Sequence, residues 1–235
     1  MALSEIADIR LVAFDLDGTL IEGTVFIWQT LHQAFSTDAL ARRQAAEDFR
    51  AGRIDYRQWF EEDLRLLKQA GADRRGMERV LAGLRPAQGG RRVLQELRRR
   101  GYRLAVISGS LDLALNYFYS EELFDHVLIN RVFFDEKGHI RGGRHTPYDL
   151  DRKAEGLRLL AHKEGISTAQ CAFVGDNVND LEVMRIAGLA VAIDPKRPEL
   201  LSFARLVLER GGLPRLLEIF PARTAGRLTG QPVLR

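Results

Sequence analysis

Short, largely apolar runs alternate with helix-like segments along most of this 235-residue chain. Runs at residues 9–14, 103–107, 171–174 and 189–193 contain β-branched or small apolar residues and are typical of buried strands. Segments such as 151–164 have the apolar spacing of helices. This alternation predicts an α/β fold with a doubly wound, Rossmann-like parallel sheet covered by helices on both faces. In such a fold, ligands bind beyond the carboxyl ends of the strands.

The C-terminal two thirds of the chain follow this alternation with one interruption. The predicted elements are helix 90–100, strand 103–107, helix 111–122, strand 127–129, hairpin 132–141, helix 151–164, strand 171–174, helix 178–187, strand 189–193, a short helix near Glu199, strand 206–208 and helix 214–219. The hairpin, with its turn at Lys137 and Gly138, is the interruption.

Between the first strand and this repeat, the pattern is purely helical. The segment is rich in Ala, Leu, Arg, Glu and Gln, is broken at Gly52 and Gly71, and is closed by Pro86. We interpret it as a helical cap inserted into the core domain. The predicted parts are a core of residues 1–21 and 86–220, a cap of residues 22–85, and a mobile basic tail of residues 221–235 that lacks acids.

Composition excludes several classes of protein. The isoelectric point of 9.2 reflects 35 basic against 32 acidic residues, and a net charge of +3 is too small to indicate a nucleic-acid partner. The apolar runs are too short to cross a membrane, and no secretory signal is recognisable. The one cysteine, Cys171, cannot form an internal disulfide. We therefore expect a cytoplasmic protein with no membrane or nucleic-acid partner.

Carboxylates cluster after two of the predicted strands. Asp15 and Asp17 stand two residues apart after the first strand, in the sequence DLDGTL, so both can face one crevice and attract a cation. Asp176 and Asp180 follow strand 171–174 in the sequence GDNVND. Capping of the next helix explains one of these two acids but not both together with the two asparagines.

Two further segments suit a phosphate at the same edge of the sheet. The sequence Ser108-Gly109-Ser110 is predicted to end a strand and open a helix, where a hydroxyl and backbone N–H groups can hold phosphate oxygens. Lys153 lies in the first turn of a predicted helix, where the helix dipole disfavours a cation. Its position indicates a functional role or a carboxylate partner.

In their order and positions, these four segments resemble the motifs of the haloacid dehalogenase-like superfamily of aspartate-nucleophile phosphohydrolases. The combination of DxDxT, a helical insertion, SGS, a helix-borne Lys and GDxxND is similar to the phosphoserine phosphatase-like branch. The insertion sequence AGRIDYRQWFEEDLRLL also resembles the cap of that branch. The resemblance implies a phosphomonoesterase that acts through an aspartyl-phosphate.

The resemblance also implies roles for individual residues. Asp15 is the expected nucleophile, and Asp17 is the expected general acid and base. Mg²⁺ would be held by Asp15, the backbone carbonyl of Asp17 and Asp176. The expected phosphate-binding and supporting residues are Ser108, Gly109 and Lys153 on the phosphoryl oxygens, Thr19 on the nucleophile loop, Asp180 beside Lys153, and Asn177 and Asn179 in the second acidic loop.

The predicted cap departs from the pattern of true phosphoserine phosphatases. Their Glu nine residues after the nucleophile is Thr24 here, although Glu22 is close enough to replace it. If Tyr56 is the cap aromatic, the position of their carboxylate-binding Arg is occupied by Asp63, which has the opposite charge. Replacement guanidinium groups are available in the cap, at Arg57 and Arg65.

Several functions therefore stay open at this stage. The first is a phosphatase for a small phosphomonoester, either phosphoserine-like or a non-amino-acid substrate such as phosphocholine or a sugar phosphate. The cap aromatics, which include Trp28 and Trp59, form either a cation-binding wall or simply the cap core. The alternatives are a phosphotransferase or phosphomutase that uses the same aspartyl-phosphate, a non-catalytic binding protein, and a nucleic-acid end-processing enzyme with steeply salt-dependent binding.

Overall fold

A seven-stranded sheet forms the centre of the computed structural model, which describes residues 8–223. Its strand order is β6-β5-β4-β1-β7-β8-β9, and every neighbouring pair is parallel except β5 with β6. These strands are β1 (Leu11–Phe14), β4 (Arg103–Leu111), β5 (His126–Phe134), β6 (Ile140–Arg144), β7 (Cys171–Gly175), β8 (Leu189–Ile193) and β9 (Leu206–Leu208). The expected α/β fold with a largely parallel sheet is confirmed.

Helices cover both faces of this sheet because the side chains of a strand alternate between the two faces. In β1, Val12 and Phe14 join one apolar core, and Leu11 and Ala13 join the other. The helices on the first face are α5 (Gly90–Arg99), α6 (Asp112–Phe118) and α9 (Leu216–Ile219), and those on the second are α7 (Lys153–Lys163) and α8 (Leu181–Ile186). β1 lies between β4 and β7, so the three strand ends that carry the predicted site are adjacent.

The helical region between β1 and β3 (Arg85–Pro86), called the cap here, contains four helices. They are α1 (Ile27–Ala34), α2 (Ala39–Arg50), α3 (Tyr56–Gln69) and α4 (Arg74–Leu81). Gly52 and Gly71, the predicted helix breaks, follow α2 and α3 with φ of +70° and +76°, a conformation that favours glycine. At its base, β2 (Ile21–Glu22) pairs antiparallel with β3, which brings the two connections to the core together.

The structure corrects the predicted strand and hairpin at 127–141. They share one strand, β5, whose first part pairs parallel with β4 and whose last part pairs antiparallel with β6. Asn130 and Arg131 do not interrupt it, because Asn130 is buried and Arg131 forms an ion pair with Glu121. The turn at Lys137 and Gly138 is where it was predicted, and Gly138 has a φ of +88°.

The segment Ser108-Gly109-Ser110 does not open a helix, contrary to the prediction. β4 continues through it to Leu111 with a shift in its pairing with β5, and α6 begins only at Asp112. The pairing of Leu111 with Asn130 prolongs the strand past the point where its apolar run ends. Four predicted helices are also shorter than expected, and 3-10 turns stand at one end of each, at residues 121–123, 150–152, 178–180 and 213–215.

No helix within residues 8–223 is both long enough and apolar enough to cross a bilayer. Most of the predicted basic tail, residues 224–235, lies outside the described residues.

Candidate active site

The loop after β1 carries the first pair of carboxylates. Asp15 continues the pairing of β1, since its N–H donates to the Val174 carbonyl over 2.9 Å. In Asp17, Oδ2 accepts a hydrogen bond of 2.7 Å from the N–H of Ile27, the first residue of α1, whereas the buried Oδ1 has no hydrogen-bond partner. One oxygen of Asp17 is therefore fixed by the cap, and the other is available to a ligand.

The loop after β7 packs directly against this first loop. Gly18 has a φ of +76°, and a Cβ at this position would overlap the Asp176 carboxylate. The Thr19 hydroxyl donates a 3.3 Å hydrogen bond to Oδ1 of Asp176, so Thr19 ties the two loops together. Oδ2 of Asp176 is buried without a hydrogen-bond partner.

Asp180 organises the second loop. Its Oδ2 accepts hydrogen bonds from the N–H groups of Asp176, at 2.9 Å, and Asn177, at 3.2 Å. Its Oδ1 lies 2.7 Å from Nζ of Lys153. Both oxygens of Asp180 therefore have partners.

Lys153 is the first residue of α7 and is completely buried. Its Nζ lies 2.9 Å from Oδ1 of Asp15 and 2.7 Å from Oδ1 of Asp180. Burial on its own would lower the pKa of Lys153, but the charges of Asp15 and Asp180 outweigh it, and the pKa is raised. The position of Lys153 in its helix predicted a carboxylate partner, and the structure shows two, Asp15 and Asp180.

Three carboxyl groups near Lys153, those of Asp17, Asp176 and Asp180, have raised pKa values. Burial and the neighbouring charge of Asp15 raise the pKa of Asp17 to about 7. The same causes, together with the charge of Asp180, raise the pKa of Asp176 to about 9. Burial raises the pKa of Asp180 to about 6 in spite of Lys153. One lysine thus does not neutralise the four carboxylates, which favours the binding of a further cation.

The residues fit a divalent metal that prefers oxygen ligands. Carboxylate oxygens of Asp15, Asp176 and Asp180 lie within 4.8 Å of one another, and all three residues are buried. Because both oxygens of Asp180 are already paired and Oδ2 of Asp176 is not, Asp15 and Asp176 are the carboxylates that can contact an ion. Mg²⁺ binds such oxygen donors.

The strand end with Ser108 is held by cap and core together. The Gly109 carbonyl accepts hydrogen bonds from Nε1 of Trp28 in the cap, at 2.9 Å, and from Nδ2 of Asn130 in β5, at 2.6 Å. A Cβ at Gly109 would overlap the Asp149 carboxylate, so this position requires glycine. Ser108 is buried, and its Oγ accepts from the N–H of Ser110 over 3.2 Å.

A cavity of about 690 Å³ joins these strand ends to the cap. Among the predicted catalytic and phosphate-binding residues, Asp15, Asp17, Ser108 and Gly109 line it, and Asn179 does so from the second acidic loop. Lys153 is not on the cavity wall but lies behind Asp15.

Of the three cap residues predicted to contact the substrate, two line the cavity and one does not. Tyr56 and Asp63 line the cavity, but Glu22 does not: its Oε1 accepts a 3.2 Å hydrogen bond from the N–H of Gln88 at the base of the cap. Arg57 and Arg65 are also outside the cavity wall, and they form ion pairs with Glu61 and Glu62 on the surface of α3. The cap aromatics on the wall are Phe26, Trp28, Tyr56, Trp59 and Phe60.

Sequence reasoning missed Asp149 and Asn130, which both lie beside Gly109 in the predicted phosphate-binding segment. Asp149 is half-buried, lines the cavity and accepts a hydrogen bond from the Tyr56 hydroxyl. An asparagine at the end of an apolar run was a readable signal for Asn130, since a buried amide needs partners. Asp149, in an irregular loop, gave no such signal.

Comparisons with known proteins found a family model, relatives and solved structures that match this chain. A model of the haloacid dehalogenase-like hydrolases matches residues 9–188. The phosphoserine phosphatase of Archaeoglobus fulgidus is 30% identical over 193 residues, which are 80% of this chain and 53% of that protein. The phosphoserine phosphatase of Methanocaldococcus jannaschii is 26% identical over 89% of this chain and 96% of its own. This chain thus spans about half of the first relative and nearly all of the second.

A solved structure described as a phospho-aspartyl intermediate analogue of phosphoserine phosphatase superimposes with a TM-score of 0.67. It is 26% identical and covers 91% of this chain and 99% of its own.

Proposed function

The chain belongs to the haloacid dehalogenase-like hydrolases, and from this premise we propose that it is a magnesium-dependent phosphatase that hydrolyses a small phosphomonoester through an aspartyl-phosphate on Asp15. The family match confirms the resemblance seen in the sequence. The observation that carries the proposal is the position of Asp15. Its carboxylate lines the cavity and is held 2.9 Å from Nζ of Lys153, among three other buried carboxylates.

Asp15 would act as the nucleophile. One of its carboxylate oxygens forms a bond to phosphorus as the bond from phosphorus to the leaving oxygen breaks, which leaves a phosphoryl group on Asp15. Lys153 holds Oδ1 of Asp15, and this contact fixes the orientation of the carboxylate. A carboxylate approaching a phosphate dianion is repelled, and Mg²⁺ bound by Asp15, Asp176 and the Asp17 carbonyl would supply the charge neutralisation.

Asp17 would transfer the protons. With a pKa raised to about 7, it retains a proton near neutral pH, and its unpartnered Oδ1 can give that proton to the leaving alkoxide. The resulting carboxylate then takes a proton from the water that attacks the phosphoryl group. This second step releases inorganic phosphate and restores the Asp15 carboxylate.

Ser108 and the backbone of Gly109 would hold the oxygens of the transferred phosphoryl group. The hydrogen bonds that Trp28 and Asn130 donate to the Gly109 carbonyl fix this segment before the reaction begins. Preorganised donors of this kind stabilise charge that develops in the transition state. The proposed partner is thus a small phosphorylated substrate, and a cytoplasmic location stays a prediction.

Phosphate release tests this proposal directly. The protein is incubated with Mg²⁺ and a panel of phosphomonoesters that includes 4-nitrophenyl phosphate, phosphoserine, phosphocholine and sugar phosphates, with and without EDTA. We expect turnover that requires the metal and is abolished in Asp15→Asn, with the fold retained by circular dichroism. Asp151→Asn, a change at an exposed position, is the matched control. Transfer of phosphate to an added alcohol instead of water would favour the phosphotransferase alternative.

A further inference from the structure

The cavity above Asp15 and Asp17 is larger than a serine leaving group needs. At about 690 Å³ it is in the range that holds ligands of the size of a drug molecule. Aromatic side chains form much of its cap wall. Phe49 stacks on Trp59 with ring centroids 4.8 Å apart, and Phe60 meets Trp28 edge to face at 5.7 Å, so the rings hold one another in place. Such a wall suits a flat apolar body.

One helix of the cap adds positive charge to this wall. Arg42, Ala46 and Arg50 recur at intervals of four along α2, so they share one helix face, and all three line the cavity together with Arg43. Within residues 8–223, neither Arg43 nor Arg50 forms an ion pair with a carboxylate. These two guanidinium groups are therefore available to an anion.

The one carboxylate on the cap wall is already paired. Asp63 is buried, and its Oδ1 lies 3.2 Å from Nε2 of His32 and 3.4 Å from Nε of Arg42. His32 in turn forms a 2.8 Å hydrogen bond through Nδ1 with the Thr37 hydroxyl. The charge of Asp63 is thus matched by Arg42. It is not free for the ammonium group of a substrate.

We propose, on the basis of the proposed function, that the substrate is a phosphomonoester whose leaving group has a flat or ring-like apolar body and a second anionic group at its far end. The aromatic wall packs against the body, and Arg43 and Arg50 bind the anion. Exposed guanidinium groups favour carboxylate and phosphate and repel a quaternary amine. The cavity therefore selects against phosphocholine, and it lacks an unpaired cap carboxylate for the amino group of phosphoserine.

Matched esters separate this selectivity from general phosphatase activity. Two aryl phosphates of similar shape are compared: 4-propylphenyl phosphate, and 3-(4-phosphonooxyphenyl)propanoate, which carries a carboxylate at the end of the same chain. Phenyl phosphate and 1,4-phenylene bisphosphate form a second pair, which shows whether the anion is a phosphate. We expect kcat/KM to be about tenfold higher for at least one of the two esters with a second anion than for its partner.

The variant R43Q/R50Q tests the assignment of the anion site. We expect it to remove most of this preference through a higher KM for the anionic ester, with kcat and the neutral ester unchanged, because the contact is made equally before and during the reaction. The variant R57Q/R65Q removes the same charge from the outer surface of α3 and should keep the preference.

The outcomes distinguish the inference from the function beneath it. Turnover without preference for either anionic ester, or with higher kcat/KM for phosphocholine or phosphoserine, contradicts the inference alone. Equal loss of preference in R57Q/R65Q assigns the effect to net charge and overturns the role of Arg43 and Arg50. Absence of metal-dependent turnover of every ester, 4-nitrophenyl phosphate included, contradicts the proposed function and removes the inference with it.

Discussion

The hydroxyl of Tyr56 in the cap donates a 2.9 Å hydrogen bond to Oδ2 of Asp149 in the core. Nδ2 of Asn130 donates to the same hydroxyl over 3.0 Å, and it also binds the Gly109 carbonyl. Burial raises the pKa of Asp149, and the charge of Lys153 and the bond from Tyr56 offset part of this rise. Tyr56 thus connects the cap to the segment that would hold the phosphoryl group.

Removing this hydroxyl should therefore reduce activity more than stability. In Tyr56→Phe the ring keeps its contacts with Phe49 and Trp59, but Asp149 loses a donor. We expect kcat/KM to fall about tenfold and the free energy of unfolding to fall by about 1–2 kcal/mol. Steady-state kinetics and urea unfolding measure the two effects. Tyr117→Phe, at an exposed tyrosine, is the control, and wild-type kcat/KM in Tyr56→Phe would show that the contact has no role in positioning.

Substitution of Asp17 should affect poor leaving groups most. Asp17→Asn keeps the shape but cannot give up or take a proton. We expect kcat/KM for an alkyl phosphate to fall by about 10²–10⁴, the usual range for loss of a general acid. The fall should be much smaller for 4-nitrophenyl phosphate, since nitrophenolate leaves without protonation. Equal losses for the two esters would indicate that Asp17 acts otherwise, for example only on the position of Asp15.

Gly18 should be far less tolerant of substitution than a glycine with similar backbone angles elsewhere. Gly18→Ala places a Cβ against the Asp176 carboxylate at a φ of +76°. Gly52→Ala, at a φ of +70° and with nothing within 4 Å, is the control and should cost about 1 kcal/mol. We expect Gly18→Ala to lose more stability than this and to weaken Mg²⁺ binding, measured by calorimetry. Similar costs at the two positions would contradict the close approach of the two loops.

The metal-free protein should lose stability as the pH rises. Asp17 and Asp176 have folded pKa values raised to about 7 and about 9 from an ordinary 3.8, so the folded state binds protons more tightly than the unfolded state. The resulting stabilisation is complete below pH 4 and is lost as the pH rises to about 9. Urea unfolding in EDTA at pH 5 and pH 9 measures this loss.

Added Mg²⁺ should restore stability mainly at the upper end of this range, because the ion requires ionised carboxylates. Asp176→Asn, which cannot titrate, should show a flatter pH dependence in EDTA and little response to Mg²⁺. A wild-type response to Mg²⁺ in Asp176→Asn would place the metal elsewhere.

The sheet was predictable because the pattern of apolar residues in a strand is a local property of the sequence. Residues that follow adjacent parallel strands lie close together, however long the chain between those strands is. Asp15 and Asp176 were singled out on this basis, and Lys153 because a cation is disfavoured in the first turn of a helix. The course of β4 past Ile107 was not predictable, because it depends on pairing with Asn130 from another strand. Local sequence predicted that the strand ends at Ile107, and the pairing of Leu111 with Asn130 prolongs it to Leu111.

The cap was harder to predict for the same reason. Helical spacing predicted a helical region between β1 and β3 and its breaks at Gly52 and Gly71, but not which helix face lines the cavity. In the sequence, nothing distinguishes Arg57 and Arg65 from Arg43 and Arg50. In the structure, only Arg43 and Arg50 of these four line the cavity. The contact between Asp63 and His32 spans two helices, so neither residue alone indicates that the carboxylate is paired.

Trapping the phosphorylated protein tests the central claim most directly. The wild-type chain is mixed with 4-nitrophenyl phosphate and Mg²⁺, quenched in acid during turnover and reduced with borohydride, which converts an aspartyl-phosphate to homoserine. Peptide mass spectrometry then locates the change. We predict homoserine at position 15 only, and none when EDTA is present or in Asp15→Asn. Turnover with an unmodified Asp15, or with phosphate on another residue, would contradict the assignment of Asp15 as the nucleophile.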